Sequence, residues 1–183
     1  MIKEIALGIY ERRVHPEGVD WFLNTYLIVL DQANLYIDSG LGSKAIEELS
    51  AFSESTKPNV LIYTHYHFDH VWGSGALSFV KVIACEPFNS LLQDDFELSY
   101  AYFKELQEGK VSAVYADTLI EYKTQVGPLT LYPAPGHTPD GLIIHDTRTG
   151  LVFMGDNLPD DQKGLLPEIS DPDAYLKTLL LVQ

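Results

Sequence analysis

Residues 64–70 read Thr-His-Tyr-His-Phe-Asp-His, so three of the chain's six histidines and one aspartate fall between His65 and His70. Histidine changes charge near neutral pH and is the commonest metal ligand. One buried imidazole satisfies itself on a carbonyl. Three imidazoles and a carboxylate packed side by side need a shared partner, and a metal ion is the partner that fits. Nitrogen and carboxylate donors without sulfur suit Zn(II), Fe(II) or Mn(II), with zinc the default. If the chain stays extended here, positions 65, 67 and 69 point one way, because strand side chains alternate with period two. His65, His67 and Asp69 then converge, and His70 joins them only where the chain turns. Two later segments add to the set. His137 stands in the Pro/Gly loop PAPGHTPDG, which serves no helical or strand pattern, and Asp156 stands in FMGDN, where a strand gives way to a loop.

The elements that must position these residues follow from the pattern around them. Strands are predicted at about 3–10, 24–30 and 34–38, the last two joined as a hairpin by Asp31-Gln32-Ala33. Ser43 suits the N-cap of a helix over about 44–53, with Ala45, Ile46, Leu49 and Phe52 on its apolar face. Val60-Leu61-Ile62-Tyr63 reads as a buried strand running into the histidines. A short helix near 73–79, a strand at 81–84 and a long helix over about 87–108 come next. That helix carries an apolar stripe at Leu92, Phe96, Tyr100, Phe103 and Leu106. Core packing explains the stripe, and the functional alternative is that Tyr100 or Tyr102 overhangs a substrate pocket. Strands at 118–123, 129–132, 142–145 and 151–154 follow, punctuated by Gly127-Pro128, Pro135-Gly136 and Thr149-Gly150. A last helix starts beside Asp171 and Pro172. Strands with helices inserted in each half imply two sheets inside and helices outside.

Composition narrows the function. With 183 residues, one domain with a real core is expected. No apolar run approaches the ~18 residues of a membrane span. The N-terminal MIKEIALGIYERR mixes acids among its apolar residues and lacks a signal-peptide core, so a cytoplasmic location is the simplest expectation. The single cysteine, Cys85, excludes an internal disulfide or a zinc site built on several thiolates, and its strand-like flanks place it in the interior. The formal net charge is −14, with 12 Lys and Arg and no basic cluster longer than Arg12-Arg13. A nucleic acid is normally met by a basic face, so it is not an expected partner.

With these motifs in order, the chain resembles the metallo-β-lactamase superfamily. THYHFDH matches its His-x-His-x-Asp-His signature, PGHT its next histidine loop, MGD its bridging aspartate, and Ile37-Asp38-Ser39-Gly40 its early Asp-Ser/Thr-Gly turn. The match runs from about residue 20 to the end. The resemblance implies an α/β (α+β) four-layer αββα sandwich of two mixed sheets flanked by helices, and a two-metal site. By motif, His65, His67 and His137 would hold the first metal and Asp69 and His70 the second, with Asp156 bridging. Asp38 would orient ligand side chains from behind, as such carboxylates do. The implied cofactor is zinc, one or two ions per chain, with iron or manganese as alternatives. The implied activity is hydrolysis of a small ester, thioester, lactone or related bond by activated water, with Asp69 holding the water. No serine or cysteine nucleophile is required, and no Gly-x-Ser-x-Gly elbow is present.

Relatives that replace the second histidine of the run by glutamate carry iron for redox chemistry; His67 is in place, which looks like the hydrolytic branch. A mononuclear-iron dioxygenase acting on a persulfide, or a degenerate metal-binding member without activity, are the alternatives. Among the remaining histidines, His145 is expected near a hairpin end at the surface and His15 in an exposed loop. In relatives the second metal takes a further histidine well downstream of the bridging aspartate, and no histidine follows Asp156 here. The expectation is therefore one metallo-β-lactamase-like domain over 1–183 lacking the final segment, with a weakened second metal position. Homodimerisation is expected to cover the apolar ending LKTLLLVQ.

Overall fold

The computed structural model describes residues 1–158 and 167–181. Seven strands form one sheet in chain order: β1 (Ile2–Ala6), β2 (Ile9–Val14), β3 (Leu23–Val29), β4 (Asn34–Ile37), β5 (Asn59–Ile62), β6 (Lys81–Cys85) and β7 (Thr118–Ile120). The first four pair antiparallel, β1–β2 and β3–β4 through short turns and β2–β3 through the loop 15–22. From β4 onward pairing is parallel, which requires crossover connections. α1 (Ser43–Ser50) makes the first crossover. α2 (Phe68–Val71) and a 3-10 turn at Ser74–Ala76 make the second, and α3 (Phe88–Phe103) makes the third. The second sheet has the order β11-β10-β9-β8, from β8 (Thr124–Val126), β9 (Leu129–Pro133), β10 (Leu142–Asp146) and β11 (Val152–Phe153). Its described strands all pair antiparallel, where the sequence implies a second mixed sheet; each link is a turn or loop with no helical crossover. α4 (Pro172–Leu180) follows, with Asp171 accepting from the Asp173 and Ala174 amides as N-cap.

Alternation along the strands sorts two cores. Tyr36, Leu61, Tyr63, Val82 and Ala84 face α1 and α3, meeting Ile46, Leu49, Phe88 and Leu92. Leu35, Ile37, Ile62, Ile83 and Cys85 point the other way, against Leu129, Leu131, Leu142, Ile144 and Phe153 of the second sheet. β4 and β5 are therefore covered on both faces, and their continuous apolar runs are the sequence trace of that burial.

Several local expectations change. The single strand foreseen at 3–10 is a hairpin, because Gly8 at φ 69° turns the chain between β1 and β2. Gly42, not Ser43, precedes α1; Ser43 is inside the helix and its Oγ accepts from the Lys110 amide at 3.1 Å. Phe52 lies beyond α1 and is exposed. The helix after the histidine run starts at Phe68, five residues earlier than expected. The long helix ends at Phe103 and tightens into a 3-10 turn at Lys104–Leu106. Tyr100 packs edge-on against buried Trp72, so it belongs to the core, while Tyr102 is exposed.

Gly73, after α2, decides how closely the turn following β4 approaches. A Cβ there would come within 2.1 Å of the Ser39 carbonyl oxygen and 2.4 Å of the Gly42 carbonyl oxygen. Both obstacles are backbone and cannot swing away. Gly73→Ala is expected to destabilise the fold by about 3 kcal/mol, in line with overpacking of a filled interior. Chemical denaturation would show this as a lowered midpoint at unchanged slope.

Candidate metal centre

The turn after β4 and the loop after β5 build one wall of the site together. The Asp38 amide donates to the Ile62 carbonyl at 3.0 Å, and the Ser39 amide and hydroxyl both donate to the His70 carbonyl, at 2.7 and 3.0 Å. Asp38 takes a left-handed conformation, φ 59°, that few non-glycine residues adopt. That bend turns its carboxylate back toward the histidine run. Oδ1 accepts from the Thr64 amide at 2.7 Å, and Oδ2 accepts from the His70 Nδ1–H at 2.8 Å. A carboxylate here only accepts, so His70 Nδ1 carries a proton and Nε2 is the nitrogen that faces Asp69 and Asp156.

His137 is held from the opposite side. Its loop is pinned by the Ser170 amide and hydroxyl, which donate to the Gly136 carbonyl at 2.8 and 3.0 Å. Tyr175 of α4 lies so close to Gly136, itself at φ 148°, that a Cβ there would meet the Tyr175 Cα at 2.5 Å. His137 Nδ1–H donates to the Glu168 carbonyl at 2.6 Å. The carbonyl has no proton to give, so His137 also presents an Nε2 lone pair inward.

Five of the six expected ligand residues fall into two three-donor groups, and Asp69 stands outside both. The rings of His65, His67 and His137 lie 4.7–4.9 Å apart and nearly perpendicular to one another, arranged around a common point. His67 Nδ1 and His137 Nε2 are 3.1 Å apart. Donor atoms of His65, His67 and His137 lie within 4.8 Å of one another, and so do those of His65, His70 and Asp156. Asp156 reaches both groups, with Oδ1 at 3.3 Å from His70 Nε2 and Oδ2 at 3.7 Å from His137 Nε2. Asp69 Oδ2 is 3.7 Å from His70 Nε2. Its route into the site differs from strand alternation: β5 ends at Ile62, and Asp69 projects from the helical turn α2. His15 is exposed in its loop, 4.9 Å from the Phe22 ring, and His145 sits half-buried in β10; neither joins the cluster.

The electrostatics suit metal ligation. Burial, helped by neighbouring imidazoles, drives His65 well below the ordinary histidine range and His67 to about 3, so both are neutral near pH 7 with lone pairs available. Burial also lifts the Asp69 carboxyl to about 6, with the charge of Asp156 adding to it. Burial disfavours charge on His70, but Asp69, Asp38 and Asp156 outweigh it and raise that imidazole. Asp156 is held low by His70 and the other histidines against the opposing effect of burial. His65 Nε2 is buried without a hydrogen-bond partner among the described residues. Buried polar atoms are rarely left so, and a cation is the group that satisfies an array of inward lone pairs and carboxylates. A cavity of about 190 Å³ opens beside this corner, lined by Phe22, Asn24, Tyr26, Met154, His70 and Asp156.

Sequence patterns did not single out Thr64, the Glu168 carbonyl, Ser170 or Tyr175. Of these only Thr64 left a sequence signal, as a hydroxyl immediately before the first ligand. Asp140, also passed over, is buried with no hydrogen-bond partner for either carboxylate oxygen among the described residues, and burial raises its carboxyl to about 7.

Comparison with known proteins gives this arrangement its class. The sequence profile of the metallo-beta-lactamase superfamily matches residues 18–182, and the chain belongs to that superfamily. It is 28% identical over 142 residues to the uncharacterized protein YobT of Bacillus subtilis, across 73% of this chain and 61% of YobT. It is 25% identical over 179 residues to the acyl-coenzyme A thioesterase MBLAC2 of Gallus gallus, across 84% of this chain and 64% of that protein. The chain thus spans less than two-thirds of the length of these relatives. Among solved structures, the mono-zinc form of the metallo-beta-lactamase FIM-1 from Pseudomonas aeruginosa superposes with a TM-score of 0.75 at 20% identity, covering 100% of this chain and 80% of the other. The Erythrobacter litoralis metallo-beta-lactamase gives 0.74 at 21% identity, covering 98% and 81%. These likenesses establish the sandwich fold.

His67 supplies one of the two closest-facing nitrogens. His67→Ala is expected to remove most of the transition metal bound per chain, since losing one of three strong ligands from a preformed site is costly. Elemental analysis of protein purified without chelator measures it; equal metal in wild type and variant would refute the assignment.

Proposed function

We propose that the chain is a zinc-dependent hydrolase of a small ester, thioester, lactone or related acyl bond. The observation that carries this is the pair of overlapping donor groups, three imidazoles on one side and two imidazoles with a carboxylate on the other, sharing His65. His65, His67 and His137 would hold a first metal and His70 with Asp69 a second, with Asp156 within reach of both groups; Asp69 stands outside the two three-donor groups, 3.7 Å from His70 Nε2. Metal held there supplies Lewis acidity, bringing the pKa of water toward about 7 and polarising the acyl oxygen. Asp69, its carboxyl lifted to about 6 by burial, accepts a hydrogen bond from the attacking water and takes or passes its proton. Asp38 keeps His70 in register. Substrate enters from the side of the cavity bounded by Phe22, Tyr26 and Met154.

The acyl-coenzyme A thioesterase relatives support the thioester and ester end of this range. The two donor groups favour hydrolysis over single-iron dioxygen chemistry, which needs one position. We place the second position as the weaker, since Asp69 Oδ2 lies 3.7 Å from His70 Nε2 and Asp69 stands outside both three-donor groups. The reading also places this domain in the cytoplasm, able to pair as a homodimer. Among the described residues no helix is long and apolar enough to cross a membrane.

Asp69→Asn is expected to lower kcat far more than it changes KM, because it disturbs the activated water and leaves the pocket walls intact. Steady-state kinetics on a panel of acyl esters, thioesters and lactones checks this. Metal-independent turnover, or oxygen uptake with a persulfide in place of hydrolysis, would overturn the proposal. Zinc titration of the apo chain should show one tight site and one weaker site.

A further inference from the structure

We infer that Thr64 is a positioning residue: its hydroxyl fixes the proton of His65 on Nδ1 and so presents the Nε2 lone pair to the metal. The inference rests on the metal reading above and follows from counting protons. A threonine hydroxyl has one proton and can also accept. Thr64 Oγ1 lies 2.7 Å from Asp38 Oδ2, a carboxylate oxygen that accepts, so the hydroxyl proton is committed there. Toward His65 Nδ1, 3.1 Å away, Oγ1 can therefore act only as acceptor, and Nδ1 must carry hydrogen. His65 Nε2, buried and without a partner among the described residues, is left as the donor to metal. The other contact of Oγ1, to His70 Nδ1, is longer at 3.4 Å, and the His70 proton goes to Asp38 at 2.8 Å.

The hydroxyl has no freedom to do otherwise. Thr64 is 2% exposed, and its amide is bound to Asp38 Oδ1 at 2.7 Å. Its carbonyl accepts from the Leu142 amide, at the start of β10, at 2.8 Å. Gly155, beside the bridging-position Asp156, packs on it so tightly that a Cβ there would lie 2.8 Å from Thr64 Cβ and 2.9 Å from Oγ1. A β-branched side chain gripped on these sides keeps one rotamer. One carboxylate thus controls both metal positions: His70 directly, and His65 through Thr64.

The test compares Thr64→Ser, which keeps the hydroxyl, with Thr64→Val, which keeps the shape and loses it. Zinc affinity is measured by competition with a chromophoric chelator, and the His65 tautomer in the apo protein by long-range proton–nitrogen NMR. Thr64→Val is expected to bind zinc about 10–100-fold more weakly, as loss of an outer hydrogen bond to a ligating histidine does, with Thr64→Ser within about threefold of wild type. The Nδ1–H tautomer should dominate in wild type and Thr64→Ser and become mixed in Thr64→Val. Should Thr64→Val not fold, Thr64→Ala carries the same comparisons. Unchanged affinity and tautomer in the hydroxyl-free variant would overturn the inference, and so would equal losses in Ser and Val, which mark a packing role. If the wild-type chain binds no zinc, the metal reading fails, while the tautomer comparison still decides for or against Thr64.

Discussion

The ligand end of the molecule depends on how Asp38 is held. Its left-handed backbone bends the chain at the end of β4, and the bend directs one carboxylate between Thr64 and His70. The Ser39 amide and hydroxyl, next along the same turn, take the His70 carbonyl. Two histidines separated by a helical turn are thereby referred to a single anchor. Without it, the short α2 would have little to fix its rotation, since one turn of helix is not stable by itself. The parallel pairing of β4 with β5 puts these two strand ends side by side, so topology and ligand geometry are one constraint.

Around that anchor the interior works against charge. Burial lowers His65 and His67 and raises Asp69, and His65 Nε2 has no hydrogen-bond partner among the described residues. Such an arrangement is costly for a protein alone, because desolvated polar groups without partners lose the hydrogen bonds they would make to water. It becomes favourable when a cation joins it, and the free energy of that joining is available to the fold as well as to chemistry. Preparation for a ligand and local instability without it are two aspects of the same packing.

Much of this was legible in the residues. Type and spacing pointed to a candidate cluster, with His65, His67, Asp69 and His70 in one run, His137 in a loop without periodic pattern and Asp156 at a strand end, while their ligand roles came from the family resemblance. The sheets came from apolar runs such as Val60-Leu61-Ile62-Tyr63, which only a strand covered on both faces can use. The failures have physical causes. Alternation suggested that Asp69 follows His65 and His67 along a strand, but the chain is already out of β5 and coils into α2, a change no period over three residues can register. Ser43 has the chemistry of a cap and is used as an acceptor for a distant loop amide. Thr64 and the Glu168 carbonyl act through contacts 26 and 31 residues away in the chain, and a backbone carbonyl has no sequence signature at all.

The clamp on His137 has a consequence for how metal would leave. Glu168, Ser170 and Tyr175 all press on the 136–137 loop, and Tyr175 and Thr178 fasten α4 to the Asn157 and Pro135 carbonyls. Proteins open in cooperative pieces. Here the segment from Glu168 through α4 orients the His137 imidazole. The residence time of an ion held there would depend on the opening frequency of α4 as well as on bond strength. Solvent conditions that fray this helix become a kinetic valve on the centre, even though no residue of α4 is a candidate ligand.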